Sequence, residues 1–361
     1  AAMIVRRLTV QNYRNIASAD IVPDAGVTVF AGDNAQGKTN LLEAIYLCCT
    51  GRSHRTARER ELIRSGENVA RVCVRADSRL GERTVEIALS TSERRRVKVD
   101  GTPIAKSGEL MGCVTGVLFA PEGLRIVQDG PAERRRFIDM ELSQLKPSYY
   151  YALQRYARAL KQRGELLRAG AQGELLDAWD GQLVSAGREI IAARRDYIAR
   201  LSAYASEIHA SISGKREALD VQYAPSTEEE RFADQLFAAR ENDLRRMITS
   251  VGPHRDDLRL LIGGEDARAF GSQGQQRTAA ISLKLSELHV MRDETGEWPV
   301  LLLDDVMSEL DPARREQLIR RLEGVQVVLT CTDASDLAGA PIAKLYAIRA
   351  GEARCVEGEP Q

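Results

Sequence analysis

Short runs of apolar and β-branched residues dominate the first 120 positions of the chain. Strands are predicted for the runs MIVRRLTV, VTVFA, VARVCVRA, RTVEIALS and VTGVLFA, and the Asp100-Gly101 pair within RVKVDGTPI predicts a hairpin turn. Between the second and third of these runs, Lys38 to Cys49 places its apolar residues at helical spacing. The N-terminal third is therefore predicted to be rich in strands, with one strong helix.

The middle of the chain has a different pattern, because glycine becomes rare and long stretches have helical periodicity. Two predicted helices begin at Pro131 and Pro147, where the missing N–H costs nothing, and a third runs from Leu175 to Ile212. No heptad pattern is sustained, which favours a compact helical lobe over a long coiled coil.

Strand patterns return near the C-terminus in PVLLLDD, VQVVLTCTD and AKLYAIRAG. We therefore predict an α/β lobe built from residues 3–130 and 247–361, and a helical lobe at residues 131–246. The two alanines before Met3 look like a cloning remnant, and the predicted fold does not include them.

Composition and charge identify no function and only exclude some classes of protein. The 361 residues have a formal net charge of −1, so total charge indicates neither a nucleic-acid nor a membrane partner. Of 51 basic residues 43 are Arg, which reflects either genome composition or a use of guanidinium groups on phosphates. The six cysteines form no CxxC pair and no apolar run reaches 18 residues, which indicates a reducing cytosol without membrane spans or a signal peptide.

The segment GDNAQGKT, residues 32–39, matches the phosphate-loop pattern GxxxxGK[ST] at every fixed position. It follows a predicted strand and opens a predicted helix, where glycines allow the backbone N–H groups to face a phosphate and the helix N-terminus attracts anions. Lys38 is predicted to reach the β- and γ-phosphates, and Thr39 to contact Mg²⁺. The predicted nucleotide contacts are Gly32, Asp33, Asn34, Ala35, Gln36, Gly37, Lys38, Thr39 and Asn40.

A pair of acids ends the apolar run VLLLDDV, residues 300–306. An unbroken apolar run is typical of a buried parallel strand, and ligands gather at the carboxyl end of such strands. Asp304 is predicted to hold Mg²⁺, directly or through water, and Asp305 to orient or deprotonate an attacking water. The alternative is that these acids cap a following helix, and it competes better for Asp305.

The segment GSQGQQ begins at Gly271 and precedes a helical pattern. With the phosphate loop and the acid pair, it resembles the LSGGQ signature of ATP-binding-cassette ATPases. Gln273 stands where the first Gly is usual, and Phe270 or Gly271 where Leu is usual. Further on, SELD at 308–311 resembles the D-loop, and Thr332 stands where the switch His is usual.

The combined motifs resemble the RecF family of bacterial recombination and gap-repair proteins, over essentially the whole chain after Ala2. These proteins are relatives of the SMC heads that lack the long coiled coil. The resemblance implies an ABC-type P-loop ATPase head with mixed sheets and a helical second lobe. The segments that carry it are GDNAQGKTNLLEAIYL, FAPEGLRIVQDGPAERRRFID, SVGPHRDDL, GSQGQQRTAAISLKLSEL and LLLDDVMSELD.

The resemblance further implies that ATP and Mg²⁺ bind between two copies of the chain. The signature residues Ser272, Gly274 and Gln275 would contact the γ-phosphate of the partner's ATP, and dimerisation would depend on ATP. Lys38, Asp304 and Asp305 would be the catalytic residues. Asp305 has a shorter side chain than the usual Glu, and Thr332 cannot act as His does, so turnover would be slow.

Two assignments stay open at this stage. The Q-loop position could be Glu122 or Gln128; Glu122 is favoured and would then add a contact to Mg²⁺. Arg14 could lie near the nucleotide or be an ordinary surface arginine at a strand end.

The family resemblance implies DNA as a partner, at gaps or at junctions of single and double strands, and cooperation with RecR, and indirectly with RecO and RecA. It implies a cytoplasmic, nucleoid-associated protein that contacts no membrane. GPHRDD has too few ligands for a metal site, which favours a structural or head-interface role. Three basic clusters could neutralise phosphates or be solvated charge runs: Arg52/His54/Arg55, Arg94–Arg96 and Arg134–Arg136.

Two other functions fit parts of the pattern. An ATPase subunit of a membrane transporter would share the cassette motifs, although it would usually carry the switch His. A nucleotide-dependent scaffold would bind ATP without meaningful hydrolysis.

Overall fold

The computed structural model describes residues 1–171, 173–214, 217–307, 315, 318, 322–333, 337 and 341–356. The chain forms two compact units: Ala1–Gly123 with Glu287–Gln361, and Leu124–Ser286.

The first unit contains an antiparallel sheet of six strands, in the order β2-β1-β4-β5-β6-β7. Apolar and polar residues alternate along β4, as a strand with one buried face requires. The turn between β6 and β7 has Asp100 at φ 51° and Gly101 at φ 79°, which confirms the predicted hairpin. The strands are β1 (Ile4–Tyr13), β2 (Ile16–Ile21), β4 (Val69–Ser78), β5 (Gly81–Ser90), β6 (Arg96–Val99) and β7 (Thr102–Pro103).

A second six-stranded sheet positions the candidate site, in the order β15-β14-β3-β13-β12-β8. All its neighbouring strands are parallel except β14 and β15. The strands β8, β12 and β13 are buried along their whole length, which explains their mainly apolar sequences. The strands are β3 (Val27–Ala31), β8 (Gly116–Phe119), β12 (Val300–Leu303), β13 (Val327–Cys331), β14 (Ile342–Arg349) and β15 (Glu352–Cys355).

The register of this sheet brings several strand ends together. The pair Leu329 and Val29 joins β13 to β3, and the pair Leu303 and Leu329 joins β12 to β13. The residues after β3 and β12 therefore meet at one edge of the sheet. Helix α1 (Lys38–Thr50) begins at that edge and is buried along most of its length.

The N-terminal alanines, which the predicted fold left out, pair with this unit. The Trp298 N–H donates to the Ala1 carbonyl at 3.1 Å, and Ala2 forms an isolated bridge with Trp298. Backbone pairing does not depend on side-chain type, so the sequence carried no signal for this contact.

The second unit contains most of the helices and a three-stranded antiparallel sheet, β11-β10-β9. Its helices are α2 (Arg125–Gln128), α3 (Pro131–Leu145), α4 (Pro147–Arg168), α5 (Glu174–Ile212), α6 (Phe232–Ala238) and α7 (Arg240–Arg246). Its strands are β9 (Leu219–Ala224), β10 (Asp257–Ile262) and β11 (Glu265–Asp266), after which α8 (Gln273–Thr295) begins.

This sheet bears on the predicted lobe boundaries. A boundary at 246/247 would separate β9 from β10, although six residue pairs join these strands, from Asp257 with Ala224 to Ile262 with Leu219. The compact units instead divide at 123/124 and 286/287. Strand β9 has only six residues and follows the long α5, so its pattern was hidden within the predicted helical region. The division into an ATPase lobe and a helical lobe stays a prediction.

Buried arginines join the helices of the second unit. The fully buried Arg163 donates to Asp180 at 2.6 Å, to Asp243 at 2.7 Å and to Thr249 at 2.9 Å. Buried charges are tolerated when they are paired and hydrogen-bonded in this way.

Candidate functional site

The phosphate loop lies between β3 and α1, and a different neighbouring residue excludes a side chain at each of its two fixed glycines. A Cβ atom on Gly32 would lie 2.3 Å from the Ile348 carbonyl oxygen. Gly37 has φ 115°, and a Cβ there would lie 2.9 Å from Asn15 Oδ1. Larger residues are therefore excluded at both positions by neighbouring strands and turns.

Two turns hold the loop from outside. The N–H groups of Ala350 and Gly351, between β14 and β15, donate to Gln36 Oε1 at 2.5 Å and to the Gln36 carbonyl at 2.9 Å. Asn15, in the turn between β1 and β2, accepts from Asn40 Nδ2 at 2.7 Å. These supports were missed by sequence reasoning, since they come from segments distant in the chain.

Lys38 points into the loop. Its ammonium donates to the carbonyls of Gly32 and Asp33, and its side chain is buried. Helix α1 begins after Gly37 without a side-chain cap and has no acid in its first turn. Its first N–H groups have no intrahelical acceptors, which makes this helix end suitable for an anion.

The acid after β12 is hydrogen-bonded to the end of the loop. Asp304 Oδ1 accepts from Thr39 Oγ1 at 2.9 Å and from Thr330 Oγ1 at 2.8 Å. Burial raises the pKa of Asp304; the carboxylates of Glu122 and Asp305 raise that pKa further, whereas the two hydroxyl donors oppose the rise. The loop hydroxyl and the buried carboxylate thus form a set of oxygen ligands.

Thr330 organises both acids and was missed by sequence reasoning. Its hydroxyl donates to Asp304 and accepts from the Asp305 N–H at 2.8 Å. It is 1% exposed and is the last residue but one of β13. A hydroxyl within the otherwise apolar run VVLTC was the signal that could have found it, because a buried polar group requires partners. Asp305 itself has φ 53°, a left-handed conformation that Asp tolerates.

The two candidates for the Q-loop position lie in different places. Glu122 belongs to the first unit and is close enough to Asp304 to raise its pKa. Gln128 belongs to the second unit, where its Nε2 donates to Gln276 Oε1 at 3.3 Å. Glu122 therefore shares a unit with the acid pair, whereas Gln128 does not.

The segment GSQGQQ is the capped start of a helix. Helix α8 begins at Gln273, one residue after Ser272. The Gln275 N–H donates to Ser272 Oγ at 3.2 Å, and the Ser272 N–H donates to Gln275 Oε1 at 2.7 Å. This is a reciprocal capping box, so the segment has an ordered geometry unlike that of a linker.

The glycines of this segment differ in their surroundings. A Cβ on Gly271 would lie 2.4 Å from the Ala267 carbonyl oxygen, whereas a Cβ on Gly274 would meet no atom within 4 Å. The preceding Phe270 is 72% exposed. Ser272, Gly274 and Gln275 belong to the second unit, and the phosphate loop to the first.

Of the motifs near the C-terminus, SELD at 308–311 lies outside the described residues. Thr332 follows β13 and is exposed.

Arg14 makes a contact that the sequence did not predict, and its two proposed roles stay predictions. It makes a bidentate pair with the buried Glu43 of α1, at 2.9 and 2.7 Å, and is 17% exposed. The same carboxylate accepts from Ser53 at 2.5 Å. Arg14 therefore attaches the turn between β1 and β2 to the helix that follows the phosphate loop.

Two basic clusters contain arginines with structural roles. Arg134 is buried and makes a bidentate pair with Asp257, so it is neither a solvated charge nor accessible to phosphates. Arg95 donates to the Gly51 carbonyl at 2.6 Å. Arg52 and Arg94 are exposed.

GPHRDD forms part of the packing of the second unit. His254 contacts Tyr156 OH through Nδ1 at 2.7 Å and the Thr249 carbonyl through Nε2 at 3.0 Å. Burial lowers the pKa of His254 to about 4, and the positive charges nearby act in the same direction. Asp256 accepts from the buried Arg194 at 2.8 Å. Throughout the described part of the chain, no group of three potential ligands could hold a metal.

The family model of the RecF/RecN/SMC N-terminal domain matches residues 4–356. The DNA replication and repair protein RecF of Agathobacter rectalis is 43% identical over 334 residues, which cover 91% of this chain and 92% of that protein. The chain belongs to the RecF family.

The solved structures agree with this assignment. The recombination mediator protein RecF-ATP in the RecFOR pathway superposes with a TM-score of 0.91 at 36% identity, over 98% of each chain. The Smc head domain of Pyrococcus furiosus has a TM-score of 0.59 at 16% identity, over 98% of this chain and 96% of that one, which shows a shared head fold. The predicted fold class is thereby confirmed. Among the helices that the structure describes, none is both long and apolar enough to cross a membrane.

Proposed function

We propose that this chain is an ATP-dependent DNA-binding protein of recombinational repair, which dimerises around ATP and opens after slow hydrolysis. The observation that carries the proposal is the hydrogen bond between Thr39 and Asp304, 265 positions apart in the chain. It joins the phosphate loop to the acid after β12, as a nucleotide site with a metal requires.

ATP and Mg²⁺ suit the residues at this edge of the sheet. The curled loop 32–37, the ammonium of Lys38 and the uncapped start of α1 provide a cradle for phosphates. Thr39 and Asp304 would hold Mg²⁺, with Glu122 beside them, since Mg²⁺ prefers oxygen ligands. The metal would neutralise charge that develops on the phosphates. The similarity to RecF-ATP supports ATP as the nucleotide.

Asp305 would orient or deprotonate the attacking water. Its backbone N–H donates a hydrogen bond to Thr330 Oγ1, and Asp305 is the residue that directly follows Asp304. The side chain is one methylene shorter than the usual Glu, so we expect it to hold water less well and turnover to be slow.

The signature segment would complete the site of a second copy of the chain. A Cβ on Gly274 would lie in open space, so packing within this chain does not require glycine there. A close approach by another molecule does explain it. Ser272 and Gln275 stand at the start of α8, where a phosphate is favoured. A symmetric dimer would have two such composite sites.

DNA at gaps or strand junctions is the proposed substrate, with exposed arginines such as Arg52 and Arg94 as candidate contacts to phosphates. RecR is the proposed direct partner and RecO and RecA are proposed indirect partners, and the proposed location is the cytoplasmic nucleoid. Membership of the RecF family favours this function over a transporter subunit.

Light scattering with ATP and magnesium tests the central step. We expect the wild type to dimerise, and Ser272→Arg to remain monomeric because the arginine would fill the space for the partner's phosphate. Lys38→Met should lose ATP binding, whereas Asp304→Asn should bind ATP and lose magnesium-dependent hydrolysis. A wild type that stays monomeric at all ATP concentrations would contradict the composite site.

Gel shifts and phosphate release, measured on single-stranded, duplex and gapped DNA, test the DNA-dependent step. We expect ATP to strengthen DNA binding, and DNA to accelerate hydrolysis. Binding without measurable phosphate release in a single turnover would instead indicate a scaffold.

A further inference from the structure

The amide of Gln275 is held at both ends. Its Oε1 accepts from the Ser272 N–H at 2.7 Å, and its Nε2 donates to Glu217 Oε1 at 2.8 Å. The first contact is local, within the capping box. The second comes from a residue 58 positions away in the chain.

Glu217 lies in the connection between the end of α5 at Ile212 and the start of β9 at Leu219. Its other oxygen, Oε2, lies 3.8 Å from Nε2 of the buried His209 on the last turn of α5. The opposite ring nitrogen of His209 contacts Ser282 Oγ of α8 at 3.3 Å. Two contacts therefore join the end of α5 to the first turns of α8.

We propose that Glu217 is a positioning residue for the signature segment, acting through Gln275. The inference rests on the proposed composite ATP site. The carboxylate fixes the rotamer of Gln275, which keeps Oε1 on the Ser272 N–H and completes the capping box. Ser272 and the first turn of α8 are thereby held in one geometry before a second copy arrives.

Glu217 would favour association by lowering the conformational entropy that Gln275 loses when the dimer forms. A glutamine side chain that is fixed in advance loses less conformational freedom when it enters an interface. A hydrogen bond to a charged acceptor is stronger than one between neutral groups, and Glu217 is 30% exposed, so water screens only part of this interaction. Without Glu217, the Gln275 amide can rotate to water, and the capping box competes with other rotamers.

The experiment compares Glu217→Ala, Glu217→Gln and the control Asp220→Ala by light scattering with ATP and magnesium. Asp220 is an exposed acid on β9, and it accepts a hydrogen bond from Gln222 of the same strand. We expect Glu217→Ala to raise the concentration for half-dimerisation about tenfold, since two signature segments act in each dimer. Glu217→Gln keeps an acceptor for Gln275 and should lose about threefold or less. Asp220→Ala should match the wild type.

Binding of a fluorescent ATP analogue to the separate chain provides the second measurement. Glu217 is in the second unit and the phosphate loop is in the first, so this affinity should stay within about twofold of the wild type in all variants. A general loss of folding would lower analogue binding and the unfolding midpoint together, which would overturn the positioning role.

A double-mutant cycle with Gln275→Ala tests whether Glu217 affects dimerisation through Gln275. If Glu217 acts through Gln275, Glu217→Ala should have no further effect on dimerisation in the Gln275→Ala background. Additive effects would overturn the inference, as would wild-type dimerisation of Glu217→Ala. If the wild type does not dimerise with ATP, the proposed function fails instead, so the two failures are distinguishable.

Discussion

The substitution Gly274→Ala should stabilise the folded chain and weaken its ATP-dependent dimer. Gly274 occupies the first turn of α8, and a Cβ there would meet no atom within 4 Å. A methyl group therefore fits the separate chain without strain. In the proposed dimer the same methyl group would lie where the partner's phosphates approach the backbone.

The two effects have opposite signs and different sizes. Replacement of a helical glycine by alanine is worth about 0.5–1 kcal/mol in favour of the folded state, because alanine has less backbone freedom to lose. An added methyl group in a close interface costs about 1–3 kcal/mol. Two composite sites in a symmetric dimer double that cost to about 2–6 kcal/mol, so the dimer should weaken at least about thirtyfold.

The assay combines urea unfolding without nucleotide with light scattering in ATP and magnesium. Gly181→Ala is a matched control, because Gly181 lies on the exposed face of α5 and also has open space around it. It should stabilise the chain by a similar amount and leave dimerisation unchanged. Gly271→Ala should destabilise the chain instead, since its Cβ would lie 2.4 Å from the Ala267 carbonyl oxygen.

A Gly274→Ala variant that dimerises as well as the wild type would refute the reasoning. The open space at Gly274 would then have no connection with a second copy of the chain. A variant that is less stable than the wild type would show instead that this glycine is needed within the chain itself.

Three further outcomes follow from buried groups. Thr330→Val should lower the free energy of unfolding in urea by about 1–3 kcal/mol and slow ATP hydrolysis, because Asp304 Oδ1 and the Asp305 N–H lose their hydroxyl partner. Thr330→Ser keeps the hydroxyl and should retain both the stability and the hydrolysis rate. Burial lowers the folded-state pKa of His254 to about 4. The stabilising contribution of His254 is therefore present above pH 6.5 and is lost as pH falls through 4. Between pH 7 and pH 4, the unfolding free energy of the wild type should fall by about 2–3 kcal/mol more than that of His254→Gln. Arg163→Met should cost about 3–5 kcal/mol in chemical unfolding, because it leaves buried carboxylates unpaired, whereas Met at the exposed Arg155 should cost less than about 1 kcal/mol.

The phosphate loop and the acid pair could be predicted from sequence because their signals are local. The glycine spacing, the flanking strand and the following helix are contiguous in the chain, and the apolar run before Asp304 indicated a buried parallel strand. The hairpin at Asp100-Gly101 was predictable for the same reason, since its backbone conformation depends on two adjacent residues.

Residues whose roles depend on distant partners were misjudged. Arg134 belonged to an apparent run of surface charge, but Asp257 pairs with it in the second unit. Arg14 had two proposed roles, and neither of them included its ion pair with Glu43. A charged side chain has the same appearance in a sequence whether it is solvated or paired, so only the position of its partner separates these cases.

The sequence by itself determined where the phosphate loop, its flanking strand and helix, and the long helices α3 to α5 occur, because periodicity and glycine placement act over a few neighbouring residues. Only the tertiary structure decided that Thr330 lies between the two acids and that Glu217 reaches Gln275. The first contact depends on the register of β12 against β13, and the second on where α5 ends relative to α8. Both are set by packing between segments far apart in the chain, for which no local pattern exists.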